Sequence, residues 1–335
     1  MSDGSLTEVA RLTEVAEWYR EFVLYTRNVS PLYAELAEGV ANDRDVLTLL
    51  LELPEQKRQP NLLFAAVRHV AGTPSDYAQF RSILFSRRET VVATMLARRT
   101  QTNEPGRCAV VYPLLAALPQ PVALLEVGAS AGLCLLPDRY AYEYNGVPAG
   151  AAQSPLMIPC RVEGVWTHPT TAVEVAWRAG IDVNPLSVTD PDDRRWLETL
   201  IWPGQDERVR RLDRALAVAR HDPPRVVRGD LNERLADVAA EAPEHATLVV
   251  FHTSVLCYLS AADRQRFVEQ VRRLGAHWIS QEESGVAPSV TADLPELASD
   301  EDPMVVLALD GRAVALTAPH GGLIRWLEPA DPSAS

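Results

Sequence analysis

The stretch VALLEVGASAGLCLLP, residues 122–137, constrains the fold more than any other part of the chain. An apolar run as long as a buried strand leads directly into the turn Gly128-Ala129-Ser130-Ala131-Gly132. Glycine adopts backbone conformations that other residues avoid, so this spacing predicts a tight strand-to-helix turn that a ligand can approach closely. Turns of this kind follow the first strand of open α/β sheets.

The pattern of apolar residues differs on the two sides of this stretch. Before residue 120 the apolar spacing is helical throughout, which predicts a helical N-terminal region over residues 1–105 and a candidate cap over an active site. After it, short apolar runs alternate with helical segments, which predicts a doubly wound, mostly parallel, Rossmann-like α/β sheet over residues 106–330. A partly helical insert is expected at about 146–222. Asp310-Gly311 between two alternating runs predicts a terminal hairpin as an antiparallel edge.

Composition excludes several classes of function. The net charge of -13 disfavours nucleic acid and anionic membranes as partners, so we expect a small-molecule or protein substrate. The chain shows neither a membrane span nor a signal peptide, which predicts a cytoplasmic protein. The spacing of its cysteines fits neither a zinc site nor a disulfide framework, and we expect free thiols and no metal. The cysteines are Cys108, Cys134, Cys160 and Cys257.

The glycine turn matches two motifs. As G-x-S-x-G it is the nucleophile elbow of serine hydrolases, with Ser130 as the nucleophile. That fold needs strands and an oxyanion loop before the serine, where this chain is helical, although His252 or His320 remains available to complete a triad. As Glu-x-Gly-x-Ser-x-Gly it matches the first motif of S-adenosylmethionine-dependent methyltransferases.

The cofactor interpretation accounts for more of the residues. Gly128 and Gly132 would admit the ligand, Ser130 lies between them, and Glu126 would set a carboxylate beside an ammonium group. The G-x-G-x-x-G spacing of dinucleotide sites is absent, which counts against NAD. The alternative is that the glycines only make a tight turn.

Polar residues follow one predicted strand after another, and the carboxyl ends of parallel strands form the ligand-binding edge of such sheets. Glu143 or Asn145 would take ribose hydroxyls, Asp230 would accept from an adenine amino group, and His252 would face cofactor or substrate. For any one of them, a solvated strand end is the alternative. The set comprises Glu126, Glu143, Asn145, Asp230, His252, Thr253, Ser254, Glu282 and Glu283.

Two loops add candidates. QTNEPGR places Asn103 and Arg107 just before the helix that leads to the first strand, where they would close over the cofactor or simply belong to a helix cap. DVNPLSV supplies Asp182 and Asn184 as candidates for a substrate pocket, with an Asn-Pro turn as the alternative. Ser254 is the third substrate candidate.

Five segments carry a resemblance to a known family. They are TNEPGRCAVVYPLLA, LLEVGASAGLCLLPDRYAYEYNG, GIDVNPLSVTDPDDRRWLETLIWP with RVRRLDRALAVA, VVRGD and VVFHTSVLCYLS, which lie between about residues 100 and 280. With these segments the chain resembles a bacterial family known as domain of unknown function 2332, whose core is similar to class I methyltransferases. The resemblance implies a fold and S-adenosylmethionine as cofactor, and it implies no substrate.

The resulting prediction is methyl transfer to a small molecule or a protein side chain. Because the sulfonium already activates the methyl group, the protein has to align the acceptor and at most remove a proton. His252 and Asp230 are the candidate bases. The alternative from another class is a catalytically silent module that binds a nucleoside or a partner. The sequence makes no prediction about the oligomeric state.

Overall fold

A computed structural model describes residues 3–288, 290 and 304–328 of the chain, and these ranges contain eleven α-helices and eleven strands. The helices are α1 Asp3–Thr26, α2 Pro31–Asn42, α3 Arg44–Leu51, α4 Pro60–Ala71, α5 Tyr77–Ser86, α6 Arg88–Ala97, α7 Cys108–Ala117, α8 Pro191–Thr199, α9 Asp206–Ala219, α10 Leu231–Ala239 and α11 Ala261–Leu274. The strands are β1 Val122–Val127, β2 Ala141–Tyr144, β3 Val147–Gly150, β4 Met157–Glu163, β5 Val175–Asp182, β6 Val226–Arg228, β7 Thr247–Thr253, β8 His277–Glu282, β9 Val305–Leu309, β10 Arg312–Thr317 and β11 Leu323–Trp326.

The chain forms two compact units. The first consists of Met1–Thr102 and Asp190–Arg210, and the second of Asn103–Thr189 and Arg211–Ser335. The sequence placed residues 146–222 in a single insert, but the structure divides this segment. Its strands β3, β4 and β5 belong to the second unit and its helix α8 to the first. Within the described ranges, no helix is both long enough and apolar enough to span a bilayer.

The first unit is entirely helical, as the apolar spacing predicts. Its centre is the ring of Phe64, which contacts the rings of Tyr19, Tyr33 and Phe80 at centroid distances of 6.0, 5.0 and 5.5 Å. Burying such rings contributes about 1.5–3 kcal/mol each, so this cluster accounts for much of the stability of the unit. Arg68 Nη1 donates to the carbonyl of Thr199 at 2.8 Å and so joins α4 to α8.

Among its described residues, the second unit contains an eleven-stranded sheet in the order β3-β2-β4-β11-β10-β9-β8-β7-β1-β5-β6. The five strands β6, β5, β1, β7 and β8 are parallel to their neighbours in this group. From β6 through β5 to β1 the strands run backwards in chain order, and from β1 through β7 to β8 they run forwards. The strand order therefore reverses between β1 and β7. In open α/β sheets a ligand binds outside the carboxyl ends of the strands at such a reversal.

The structure confirms a large, mostly parallel α/β sheet and corrects one of its predicted details. The hairpin of β9 and β10 forms around Asp310-Gly311, whose φ values of 53° and 82° suit a tight hairpin turn, but it lies inside the sheet and not at its edge. The strand β2 follows β1 in the chain but does not lie beside it. It pairs with β3 and β4 instead, and six strands separate it from β1.

The two faces of the parallel strands carry different residues. Alternate residues of a strand point to opposite faces, and Glu126 of β1 is in register with Phe251 of β7. The next residue, His252, therefore lies on the opposite face, in register with Ser280 of β8. That opposite face packs on α10 and α11 through a buried cluster that includes Phe267. We call the face with Glu126 the Glu126 face and the other the His252 face.

Candidate functional site

The glycine loop, residues 128–132, follows β1 at the point where the strand order reverses. Gly128 N and Ala129 N donate to the carbonyl of Ile181 at 2.8 and 3.2 Å, and Ser130 N donates to Asp182 Oδ2 at 2.8 Å. Both acceptors lie at the carboxyl end of the neighbouring strand β5. The loop is therefore held by β5, a strand whose position the sequence indicated only weakly.

The sequence predicted a helix directly after this loop, and the structure replaces it with two short 3-10 helices, Leu133–Leu135 and Pro137–Arg139. Leu133 N donates to Asn103 Oδ1 at 3.0 Å, and Asn103 Nδ2 donates to the carbonyl of Ala129 at 3.3 Å. The amides of residues 128, 129, 130 and 133 are thus engaged within the protein. An anion would find no α-helix N-terminus here, which counts against a pyrophosphate site.

The segment from Asn103 to Arg107 closes against the carboxyl edge of the sheet. Glu104, and not Asn103, caps the 3-10 helix that follows, because it accepts from Gly106 N at 2.9 Å. Its carboxylate also pairs with Arg211 at 2.8 Å. The buried guanidinium of Arg107 donates to the carbonyl of Thr253 at 2.9 Å and to its hydroxyl at 3.2 Å. Glu104 therefore caps the 3-10 helix, Asn103 contacts the loop and Arg107 contacts the end of β7, while closure over a cofactor stays a prediction.

Glu126 is buried beneath the loop, with an exposed fraction of 2%. Its carboxyl group forms no hydrogen bond with any residue in the described ranges, and its Oε2 is fully enclosed. Burial raises the pKa of Glu126 well above its ordinary value, Asp182 raises it further, and Arg107 opposes the shift. A buried carboxyl group without a partner is uncommon in native proteins and calls for an explanation.

Backbone strain also concentrates at this edge of the sheet. Four non-glycine residues in the described ranges have positive φ. Asn145 and Asp310 each precede a glycine in a hairpin turn, which explains them. Ser130, with φ 52°, and Ser254, with φ 57°, follow β1 and β7, the two strands at the reversal. Strain of this kind costs about 1–3 kcal/mol per residue and is found mainly at functional sites.

Ser130 does not have the surroundings of an activated nucleophile. Its hydroxyl group is buried and has no hydrogen-bond partner in the described ranges. A hydrolase serine needs a general base within about 2.6–3.2 Å. His252, one of the two histidines considered, lies on the other face of the sheet, so the arrangement does not favour the serine hydrolase.

His252 is fully buried, and both of its ring nitrogens are occupied. Its Nδ1 lies 2.7 Å from Glu282 Oε1, and Trp278 Nε1 donates to its Nε2 at 3.0 Å. Because Nε2 accepts, Nδ1 carries a proton and donates it to Glu282. The prediction that His252 faces cofactor or substrate as a base is therefore wrong for this conformation.

Replacing Trp278 with phenylalanine tests this structural role for His252. The change leaves His252 Nε2 buried without a donor, so we expect the free energy of unfolding to fall by about 1–3 kcal/mol beyond the loss of buried area. Urea denaturation measures this change. Trp177→Phe is the matched control, because Trp177 packs against the same core and its indole has no hydrogen bond in the described ranges. Equal losses in the two variants would mean that the bond to His252 adds no stability.

The remaining predicted residues have local structural roles. Asp230 lies two residues after β6. It caps α10 by accepting from Asn232 N at 2.8 Å. Asp182 is buried at the end of β5 and also accepts from Asn184 N at 2.7 Å. Ser254 N donates to the carbonyl of Gln281 at 2.8 Å. Of these, Asp182 lies nearest in the fold to Glu126, on the same face of adjacent strands.

Glu143 and Asn145 are not brought to the glycine loop by the sheet. Glu143 is exposed on β2, which six strands separate from β1. Asn145 holds the chain to β4, where its side chain donates to the carbonyl of Val162 and accepts from its amide, both at 2.9 Å. The sheet order therefore does not support their predicted contact with a ribose at the glycine loop.

Ser280 is a residue that the sequence did not single out, whereas Thr253 was among the predicted strand-end residues. Thr253 accepts hydrogen bonds from Arg107. Ser280 lies near Glu282 on the His252 face. The alternation of Trp278, Ser280 and Glu282 along β8 was the available signal. All four cysteines are free, as expected, and no group of three or more potential metal ligands occurs within the described ranges.

Comparison with known proteins identifies the family. No curated protein matches the chain. The model of a family described as "Uncharacterized protein conserved in bacteria (DUF2332)" matches residues 16–326, nearly the whole length. The chain therefore belongs to this bacterial family, DUF2332.

Proposed function

We propose that the second unit binds S-adenosylmethionine at the glycine loop and transfers its methyl group to a small molecule or a protein side chain. The observation that carries the proposal is Glu126, a carboxyl group buried without a hydrogen-bond partner directly beneath the loop. A ligand ammonium group would donate to it and restore its charge, because an adjacent cation lowers the pKa of a carboxyl group. This pairing would explain why the chain retains so costly a group.

The surroundings of Glu126 support a ligand with cationic and ribosyl groups and no phosphate. The loop amides are engaged within the protein, which disfavours a phosphate. Asp182 ends the strand beside β1, the position from which an acidic residue takes ribose hydroxyls in doubly wound folds. When bound, the cofactor supplies a methyl group already activated by its sulfonium charge. Glu126 then holds the amino group, and Arg107 fixes the end of β7 beside it.

A binding module without catalysis is the second candidate. Both residues that the sequence predicted as bases have structural roles, which favours this candidate. His252 is enclosed on the other face, and Asp230 caps α10. Methyl transfer to a nucleophile that is already deprotonated needs no base, so this observation leaves the first proposal standing. Methylation of an acceptor by the pure protein separates the two candidates.

Isothermal titration with S-adenosylhomocysteine tests the cofactor site. At neutral pH we expect the ammonium group of the ligand to displace up to one proton from Glu126, because burial raises the pKa of this carboxyl group well above its ordinary value. Repeating the titration in buffers with different ionisation enthalpies counts that proton. Methylthioadenosine, which lacks the amino acid part, should bind more weakly and release none.

The variant Glu126→Gln should release no proton and bind S-adenosylhomocysteine about tenfold to a hundredfold more weakly, because a charge-assisted hydrogen bond is lost. Glu143→Gln neutralises an exposed carboxylate on β2 and should behave as the wild type. No heat with S-adenosylmethionine or S-adenosylhomocysteine, from folded protein, would overturn the proposal. Binding without proton release would remove Glu126 from it.

A further inference from the structure

A second candidate site lies on the His252 face of the sheet, where β8 ends. It is a cavity of about 200 Å³, and its lining includes Ser280, Glu282 and Glu283 on the polar side. Val290 and Val306 belong to its apolar side. Ser280 and Glu282 alternate along β8 with residues of the Glu126 face, so the sheet itself separates this cavity from the glycine loop.

Two oxygen atoms of the cavity lining accept no hydrogen bond within the described ranges, the hydroxyl of Ser280 and Oε2 of Glu282. The hydroxyl group of Ser280, a residue with an exposed fraction of 1%, forms no hydrogen bond in the described ranges. Oε1 of Glu282 accepts from the amides of Val255 and Leu256 at 2.8 and 2.9 Å and lies 2.7 Å from His252 Nδ1. Its Oε2 accepts no hydrogen bond from the part of the chain that the structure describes. Both groups offer acceptors to a ligand in the cavity.

The two carboxylates of this cavity have no arginine or lysine partner in the described ranges. Burial acts to raise the pKa of Glu282, but the donors to Oε1 outweigh burial and leave this pKa below its ordinary value. Glu282 is therefore ionised at neutral pH. Within the described ranges neither Glu282 nor Glu283 pairs with an arginine or a lysine. Arg264 comes near, but it donates to the carbonyls of residues 257, 259 and 286.

The apolar side and the size of the cavity indicate what kind of cation fits. Val290 packs against both buried clusters of this face, and Val306 belongs to the smaller of them. A dry cavity of about 150 Å³ holds a benzene molecule, so about 200 Å³ accommodates a ligand of similar size. Two carboxylates and one hydroxyl group are too few ligands for a divalent metal ion, and a bare ion would leave the apolar side unfilled.

We propose that this cavity binds a primary ammonium group on a short alkyl chain, with Glu282 Oε2, Glu283 and the Ser280 hydroxyl as its three acceptors. An ammonium group has three donors and no acceptor, which matches this set. The alkyl chain lies along Val290 and Val306. Since the cavity and Glu126 lie on opposite faces of the sheet, this site stands independently of the proposed cofactor site.

Ligand-observed NMR titration with n-pentylammonium tests the proposal, with 1-pentanol as the neutral analogue. We expect saturable binding of n-pentylammonium and much weaker binding of 1-pentanol. Glu283→Gln should weaken the ammonium about fivefold, because Glu283 is exposed and its charge is screened. Glu282→Gln should weaken it at least about tenfold, because that charge is buried. Glutamine keeps an oxygen for the amides of Val255 and Leu256.

Two further variants separate binding from folding. Glu269→Gln removes an exposed carboxylate of α11 outside the cavity and should bind as the wild type does. Ser280→Ala should weaken n-pentylammonium while leaving the free energy of unfolding equal or higher, because it deletes a buried hydroxyl group that has no partner. A purely structural role for Ser280 would lower stability and leave binding unchanged.

Three results would overturn the proposal. The first is equal affinity for n-pentylammonium and 1-pentanol, which would make the cavity merely apolar. The second is wild-type affinity in both Glu283→Gln and Glu282→Gln. The third is the absence of saturable binding by primary, secondary and quaternary alkylammonium ions alike. Competition by potassium as strong as that by n-pentylammonium would indicate a metal-ion site instead.

Discussion

Above the ordinary glutamate pKa, the free energy of unfolding of the wild type is expected to fall by about 1.4 kcal/mol for each pH unit because of Glu126. Replacing Glu126 with glutamine is expected to abolish this fall. In the wild type, burial raises the pKa of Glu126 well above that value. Between the two pKa values the unfolded chain has released this proton and the folded chain has kept it. The folded state binds more protons there, so the free energy of unfolding falls as pH rises, until the pH reaches the pKa of the folded protein.

The measurement is urea denaturation from about pH 4 to pH 8, a range that begins near the ordinary glutamate pKa. At its acid end we expect Glu126→Gln to be as stable as the wild type or slightly less stable, because its amide group also lacks partners. The two curves should cross as pH rises, with the variant more stable at neutral pH. Glu282 contributes in the opposite sense, since its lowered pKa stabilises the fold above the ordinary value and this contribution is lost on acidification.

Glu143→Gln is the control, because Glu143 is an exposed carboxylate on a strand of the same sheet. Its difference from the wild type should stay constant across the pH range. Parallel curves for Glu126→Gln and the wild type would mean that Glu126 is ionised in the folded protein. That result would also remove the proton release on which the cofactor experiment depends.

Features set by a few neighbouring residues were predictable from the sequence. The strand Val122–Val127 is uniformly buried and its sequence is apolar apart from Glu126. Asp310-Gly311 specifies the hairpin of β9 and β10, since positive φ is least costly for these residue types. The helical N-terminal region follows from apolar spacing alone. Each of these depends on local conformation and needs no knowledge of a distant partner.

The strand that lies beside β1 was not predictable in the same way. The segment Ala141–Tyr144 comes next in the chain, but β5 takes the position at the glycine loop. One signal was present, because Glu143 alternates with buried tyrosines in β2, whereas a central parallel strand is buried on both faces. The end of β5, from Ala179 to Asp182, is fully buried. Pairing between strands that are distant in sequence decides such positions, and periodicity does not encode it.

The face of the sheet on which a strand-end residue lies could not be predicted from the sequence either. Polar residues do follow the parallel strands, as predicted, but a shift of one residue in register moves a side chain to the other face. Glu126 pairs with Phe251, so His252 falls on the opposite side. The sequence therefore predicted one site where the structure has two groups of residues, one around Glu126 and one around Glu282.

Replacing Gly128 with alanine is expected to lower the free energy of unfolding by about 2–5 kcal/mol, from two separate causes. Gly128 has a φ of 71°, a conformation that costs an alanine about 1–2 kcal/mol. A Cβ at this position would lie 2.4 Å from Val255 Cγ2 and 2.9 Å from Val255 Cγ1, so the side chain or the loop must shift. Overpacking of this kind costs about 1–3 kcal/mol.

Gly275→Ala separates the two causes. Gly275 ends α11 with a φ of 64°, close to that of Gly128, and an added Cβ would have no atom within 4 Å. Its substitution should cost only the conformational part, about 1–2 kcal/mol. The double variant Gly128→Ala with Val255→Ala removes the side chain that the new Cβ would meet. It should therefore be more stable than the sum of the two single changes implies, by about 1–3 kcal/mol.

Urea denaturation of the four proteins in this cycle measures the coupling directly. A coupling near zero, with Gly128→Ala no worse than Gly275→Ala, would show that the loop relaxes away from Val255 at little cost. The loop would then be adjustable, and Gly128 would be retained for something other than its contact with Val255. A strong coupling makes Gly128 a packing residue that fixes the loop against the chain following β7. Ligand recognition at this edge would then depend on Glu126 and Asp182, not on the glycine.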